Sequence, residues 1–289
     1  MADAMKDAVV TMEEVAGRTL RVATWRLVQG IEQPPILFFN GIGANIEAVA
    51  PLAETMAERG FIMFDMPGTG ESPDPVIPYN PFIMSWITAE ILGRHSLGEV
   101  DVMGVSWGGA MAQHFALQHP ARTRRLILVA TTPGMAMVPG NPAAFTKMAN
   151  PRRYIDPEFM NEHFATLYGG ADADGAAHQK DSHIGRLKPP SPRGYMYQLL
   201  CMLGWTSLPA LPFLKKETLI MMGEDDQIVR PINGQILKAM IPNARIQMFE
   251  GGGHLFLLTH ADESVAAIRE FLDAPETQAE KGRVSAFAA

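Results

Sequence analysis

Only one cysteine, Cys201, occurs in 289 residues, so no internal disulfide can form and the fold owes nothing to an oxidising compartment. Charge is scarce, at 19% of residues, and its balance is acidic, with a net charge of −7. That leaves no basic footprint of the kind that nucleic acid or an anionic membrane surface requires. No uninterrupted apolar run is long enough to span a bilayer, and the start "MADAMKDAVV" has no basic segment followed by an apolar one, so a cytoplasmic protein without a transmembrane segment is expected. There is no H-E-x-x-H, no cysteine pair and no histidine cluster with metal-ligand spacing, so no metal site is expected. Internal repeats and long low-complexity segments are absent as well.

What is present is an apolar fraction of 47%, enough for a sizeable core. "TLRVATWRL" alternates as a strand does, "PPILFF", "GFIMFD", "VDVMGV", "RRLILVAT" and "ETLIMMG" are short apolar runs suited to strands buried on both faces, and "RIQMFE" supplies one more strand. Between them Ile46, Val49, Ala50 and Ala53 fall at helical spacing, as do the apolar positions of "WGGAMAQHFALQHP" and, in "ADESVAAIREFL", Val265, Ile268 and Leu272. Strands alternating with helices predict an α/β fold with a mostly parallel, doubly wound sheet. From about Pro133 to Pro212 prolines and glycines are frequent and no buried strand is legible. A structureless loop of that length is uncommon in a compact domain, so this stretch is read as a helical cap inserted between two strands. The expected organisation is core over 1–132 and 214–273, cap over 133–213 and a flexible tail over 274–289.

The chemistry-bearing residues lie at the ends of predicted strands. Gly104-Val105-Ser106-Trp107-Gly108 places Ser106 on a strand-to-helix turn flanked by glycines, the setting of a nucleophile whose backbone must bend sharply between close neighbours. A serine needs a base and an orienting carboxylate. "MMGEDDQIVRP" offers Asp225 and Asp226 at one strand end, of which Asp226 is taken as the acid, and "FEGGGHLFL" offers His254 at the next. The order serine, acid, histidine is that of a triad on a doubly wound sheet, where strand ends share one rim. The stretch "LFFNGIGANIE" then supplies the remaining part. A tetrahedral intermediate needs backbone N–H donors for its oxyanion: one from Trp107, after the nucleophile, and one from the loop in which Gly41 and Gly43 let the backbone turn inward, most suitably at Ile42. Asn40 can bond across that loop and hold its shape. Asn40, Gly41 and Gly43 are expected beside the substrate. "FDMPGTGES" is rich in glycine but lacks the lysine of a phosphate-binding loop, and reads as a structural turn beside the site.

These segments, "NGIGAN", "FDMPGTGES", "GVSWGGA", "GEDDQIV" and "GHLFL", resemble the α/β-hydrolase superfamily from about Thr19 to Leu272. Within it, "NGIGANIE", the Trp after the nucleophile, and "MVPGNP", "PRRY", "LYGG" and "LGWTS" are similar to the intracellular medium-chain-length polyhydroxyalkanoate depolymerases. The resemblance implies Ser106, Asp226 and His254 as triad, Ile42 and Trp107 as oxyanion donors, no cofactor, and hydrolysis of esters between 3-hydroxyacyl units on storage granules. The competing readings are a soluble carboxylesterase or lactonase of the same fold, an acyltransferase, and a receptor that keeps the fold without turnover.

Overall fold

Strict alternation of burial across the sheet explains why the central strands read as continuous apolar runs. Leu37 and Phe39 face one core and Ile36 and Phe38 the other; Leu126 and Leu128 oppose Ile127 and Val129 in the same way, as do Ile220 and Met222 against Leu219 and Met221. The computed structural model describes residues 5–27, 33–148, 150, 152, 156, 158, 159, 162–164, 185, 186 and 188–275. Its strands are β1 (Ala8–Val15), β2 (Arg18–Trp25), β3 (Ile36–Phe39), β4 (Phe61–Phe64), β5 (Val100–Val105), β6 (Thr123–Val129), β7 (Thr218–Gly223) and β8 (Ala244–Phe249). They form one eight-stranded sheet in the order β1-β2-β4-β3-β5-β6-β7-β8, with β3 through β8 parallel and β1 and β2 antiparallel at one edge.

Among the described residues the helices of seven or more residues are α1 (Ile46–Thr55), α2 (Pro81–Arg94), α3 (Trp107–Gln118), α4 (Pro142–Met148), α5 (Pro192–Cys201), α6 (Ile232–Met240) and α7 (Ala261–Asp273). Ile46, Ala50 and Ala53 of α1 share a core with Val265, Ile268 and Leu272 of α7. Met84 and Ile91 of α2, Met111 and Phe115 of α3 and Leu237 of α6 fill the opposite one. Because β3 lies between β4 and β5, the chain leaves β3 toward α1 on one face and leaves β5 toward α3 on the other. The two loops diverge and open a crevice at the C-terminal ends of adjacent strands, which is where such sheets bind ligands.

Three elements were not read from the sequence, β1, α2 and α6. β1 exposes most of its side chains and carries Glu13 and Glu14, so its alternation is faint; it is held by pairing with β2 from Ala8↔Trp25 to Val15↔Arg18. The hairpin turn is Ala16-Gly17 with φ of 52° and 71°, the two positive angles that a two-residue turn needs to match strand twist. α2 has a clear start instead: Asn80 accepts from the Ile83 N–H at 3.0 Å, and Pro81 occupies the first helical position.

Between β6 and β7 the described residues contain α4 and α5 but no strand of the sheet. The ends of this segment are stitched together, Met135 N donating to Trp205 O at 2.9 Å and Ser207 N to Pro133 O at 3.1 Å. Its middle, 165–184, and the tail expected to be flexible, beyond Pro275, lie outside the described residues.

Candidate active site

Ser106 occupies the bend between β5 and α3 with φ 55° and ψ −118°, a conformation that costs a non-glycine residue about 1–3 kcal/mol and persists only where the surroundings over-determine it. They do so here. Ser106 N donates to Val129 O at 2.8 Å, and Ser106 O accepts from Gly109 N at 2.9 Å and from the Thr131 hydroxyl at 2.7 Å. The flanking glycines are required by close approach. A Cβ on Gly104 would lie 2.2 Å from Gly108 O, and one on Gly108 would lie 2.1 Å from Phe39 O and 2.4 Å from Asn40 O. The first turn of α3 thus packs directly on the end of β3, and the site of a Cβ on Gly41 lies 4.0 Å from Ser106 Cβ. Trp107 is the first residue of α3, so its N–H has no acceptor within the helix and sits at the positive end of the helix dipole.

The loop after β3 is a tight turn over residues 41–44, closed by Ala44 N donating to Gly41 O at 3.1 Å. Gly43 has φ +70° while Ile42 is not among the residues of positive φ, the pattern of a type II turn, which demands glycine at its third position. As expected, Asn40 spans the loop: its amide donates to Asn45 O at 2.7 Å and its carbonyl oxygen accepts from Gly41 N at 3.2 Å. The Gly43 N–H donates to Gln198 Oε1 at 2.9 Å. The polar groups of Asn40, Gly41 and Gly43 expected along the substrate are therefore engaged in holding the loop, with Ile42 at its tip.

β7 and β8 end on the same rim. Gly223 packs against the carbonyls of Gly252 and Gly253, and Asp225 N donates to Gly252 O at 2.9 Å. The close approach draws the two loops together and brings Asp226 to His254. Glu224 and Asp225 point to solvent, while the Asp226 side chain is fully buried. Asp226 Oδ1 accepts from the N–H groups of Ile228 and Val229, both at 2.8 Å, and Oδ2 accepts from His254 Nδ1 at 2.7 Å. A neutral imidazole that donates from Nδ1 carries its lone pair on Nε2, the tautomer of a base. His254 itself is buried, 5% exposed. The remaining described histidines make other contacts; His114, for example, accepts from Trp205 Nε1 at 3.1 Å, and burial lowers its pKa.

Two further groups had no signature in the sequence. Gln198 of α5 reaches the loop after β3, and a buried charge cluster lies beneath that loop. In the cluster Asp65, which ends β4, accepts from Ile46 N at 2.8 Å, from Glu71 N at 3.2 Å and from Arg21 at 3.2 Å. Burial pushes the Asp65 carboxyl up to about 6 against these donors. Burial also opposes ionisation of Glu47, yet the Arg21 guanidinium, its own N–H and the Asn45 amide prevail and hold it down at about 2. Lys188, close in sequence to α5, reaches Glu71 at 2.6 Å and Glu47 at 3.3 Å. The turn "FDMPGTGES" is accordingly a scaffold: its glycines are pressed against Asp65 and against Gly194 of α5.

Comparison with known proteins agrees with this architecture. The chain matches the family described as the alpha/beta hydrolase fold over residues 34–261. A poly(3-hydroxyalkanoate) depolymerase from Ectopseudomonas oleovorans is 40% identical over 242 residues, which cover 82% of this chain and 84% of that relative. A 2-hydroxymuconate semialdehyde hydrolase from Pseudomonas sp. CF600 is 27% identical, over 82% of this chain and 86% of its own length. Among solved structures, the enol-lactonase from Burkholderia xenovorans LB400 superimposes with a TM-score of 0.78 over 91% of this chain and 100% of the other, at 18% identity. A strained serine between β5 and α3, loops that diverge at the switch of strand order, and a family match spanning most of the sheet lead to one assignment: the chain belongs to the α/β-hydrolase family.

Proposed function

We propose that the protein is a serine ester hydrolase that depolymerises medium-chain-length poly(3-hydroxyalkanoate) inside the cell, at the surface of storage granules. The observation that carries the chemistry is the His254–Asp226 pair on the same rim as the strained Ser106. His254 Nε2 takes the Ser106 proton as the hydroxyl attacks the ester carbonyl, and the Ile42 and Trp107 N–H groups hold the oxyanion. His254 then gives the proton to the leaving alcohol, and water, activated by the same imidazole, releases the acid from the acyl-enzyme. Asp226 keeps the imidazole in the reactive tautomer and stabilises its charged form. Every step is proton transfer or nucleophilic attack by these side chains and water, so the reading needs no metal or organic cofactor.

The 40% identical depolymerase supports the choice of substrate. The insertion over 133–213 acts as the cap, and α5, which lies over the site, turns Met196, Leu199 and Leu200 outward at 52, 47 and 43% exposure, an outer face suited to a water-insoluble polyester. Among the described residues no helix is long and apolar enough to cross a membrane. The test is acid release in a pH-stat from amorphous poly(3-hydroxyoctanoate) granules, with Ser106→Ala as the blank. Acid from the wild type alone supports the proposal. Cleavage of a soluble octanoate ester without polymer attack overturns the polymer assignment in favour of a carboxylesterase or lactonase, and no turnover of either ester overturns the hydrolase reading.

A further inference from the structure

We infer that Gln198 is a positioning residue that holds the loop after β3 in its reactive turn and makes the seating of α5 a condition for catalysis. The side chain is 1% exposed, and it bridges three elements. Its Oε1 accepts from Gly43 N at 2.9 Å, its Nε2 donates to the Thr69 hydroxyl at 2.5 Å, and its main-chain oxygen accepts from the Trp107 indole at 3.0 Å. One residue of α5 therefore touches the loop proposed to carry the Ile42 oxyanion donor, the residue proposed to carry the Trp107 donor, and the turn after β4.

The bond to Gly43 matters most because of the kind of turn it grips. Turns of types I and II differ by a flip of the central peptide, here the one joining Ile42 to Gly43, and glycine lowers the barrier between them. An acceptor fixed on the Gly43 N–H selects one flip. On the other side of Ile42, the Gly41–Ile42 peptide is held through Gly41 O, which accepts from Ala44 N at 3.1 Å, so the peptides flanking Ile42 are pinned one from within the turn and one from α5. Without Gln198 only one of those pins remains. The orientation of the Gln198 amide is also determined: rotating it by half a turn would set its NH2 against the Gly43 donor. A preorganised oxyanion donor contributes chiefly to the transition state, so loosening it should lower kcat and leave KM nearly unchanged.

The inference rests on the proposed oxyanion role of this loop, and the test separates the two. Labelling of the wild type by a fluorophosphonate, absent in Ser106→Ala, establishes the nucleophile first; wild-type turnover without Ser106-dependent labelling overturns the parent reading and this inference with it. Gln198→Met keeps the length and apolar stem and removes both polar ends, whereas Gln198→Asn keeps a buried amide but withdraws it by one methylene. With p-nitrophenyl octanoate, both variants are expected to lose ten- to a hundredfold in kcat with KM within about threefold. Their affinity for octaneboronic acid, whose tetrahedral adduct on Ser106 mimics the oxyanion, should fall by a similar factor. Thr69→Val, which leaves the Gly43 acceptor in place, should lose no more than about threefold. Folded Gln198 variants with kcat within threefold of wild type, or with the whole loss in KM and unchanged boronate affinity, overturn the inference.

Discussion

Replacing Asp226 by asparagine is the sharpest single test of the site, because the surrounding hydrogen bonds dictate which way the new amide must face. In the wild type Oδ1 takes two backbone donors, from Ile228 and Val229, and Oδ2 takes His254 Nδ1–H. In Asp226→Asn the amide oxygen must take the place of Oδ1, since an NH2 there would oppose two fixed N–H groups in a site without solvent access. The NH2 then faces His254 Nδ1 as a donor. The imidazole responds by accepting at Nδ1 and carrying its proton on Nε2, which can then no longer take the Ser106 proton as the proposed mechanism requires. Loss of the base tautomer in such a triad is worth about 10⁴ in kcat, or roughly 5 kcal/mol. Shape and burial are kept, so the thermal midpoint should move by only a few degrees. Steady-state hydrolysis of p-nitrophenyl octanoate measures the loss, and pre-steady-state mixing places it in acylation. Asp225→Asn, at an exposed carboxylate, is the matched control and should stay within twofold of wild type. An Asp226→Asn enzyme within tenfold of wild type, or an Asp225→Asn enzyme equally impaired, would refute the reasoning.

Three other perturbations follow from the packing and charge around the site. Gly108→Ala puts a methyl group 2.1 Å from Phe39 O and 2.4 Å from Asn40 O and must push the loop after β3, proposed to carry the oxyanion donor, from Ser106 by about 1 Å, so kcat should fall at least a hundredfold; activity near wild type in a folded variant would contradict this contact. Asp65, raised to about 6 by burial, holds its proton more tightly folded than unfolded. The stability this adds is complete below pH 4 and is lost as pH rises through 6, a difference of about 3 kcal/mol. Wild type should therefore lose stability relative to Asp65→Asn over that window in urea titrations, and a flat difference would remove Asp65 as the titrating group. Arg125 is buried and donates to the carbonyls of Phe271, Leu272 and Ala274 at the C-terminal end of α7. Arg125→Met should cost about 3 kcal/mol in the same assay by leaving buried acceptors without that donor, and no loss of stability would show that those carbonyls find other partners.

The parts of the fold legible in the sequence were those whose cause is local or periodic. Each central strand was visible because burial on both faces makes an apolar run, and the first and last helices because one face meets a core. The bend at Ser106 was visible because Gly104 and Gly108 have no other local reason to flank a serine between a strand and a helix. β1 was missed because an edge strand that carries Glu13 and an exposed Glu14 gains its stability chiefly from ladder bonds to β2 and little from burial. α2 was missed although "NPFIM" carries a helix start, because apolar side chains on several sides of it blur the helical period: Met84, Ile87 and Ile91 are buried while Phe82 and Trp86 are exposed.

The choice between Asp225 and Asp226 shows where local reading ends. Nothing in "GEDDQIV" distinguishes the two carboxylates; the distinction comes from Gly252, whose carbonyl takes the Asp225 N–H and whose loop carries the histidine. Gln198 is the stronger case, since an isolated glutamine in a segment without a motif has no signature, and its partners, Gly43 and Thr69, lie 155 and 129 residues away. The core chemistry of an acyl-transfer site is written in short motifs because backbone geometry at one bend must be right. The coupling of that chemistry to a covering segment rests on single side chains that cross between elements, and only the assembled structure brings them together. Variation in the 133–213 segment that spares the motifs can therefore still change kcat, through whatever residue stands at the position of Gln198 to receive the Gly43 N–H.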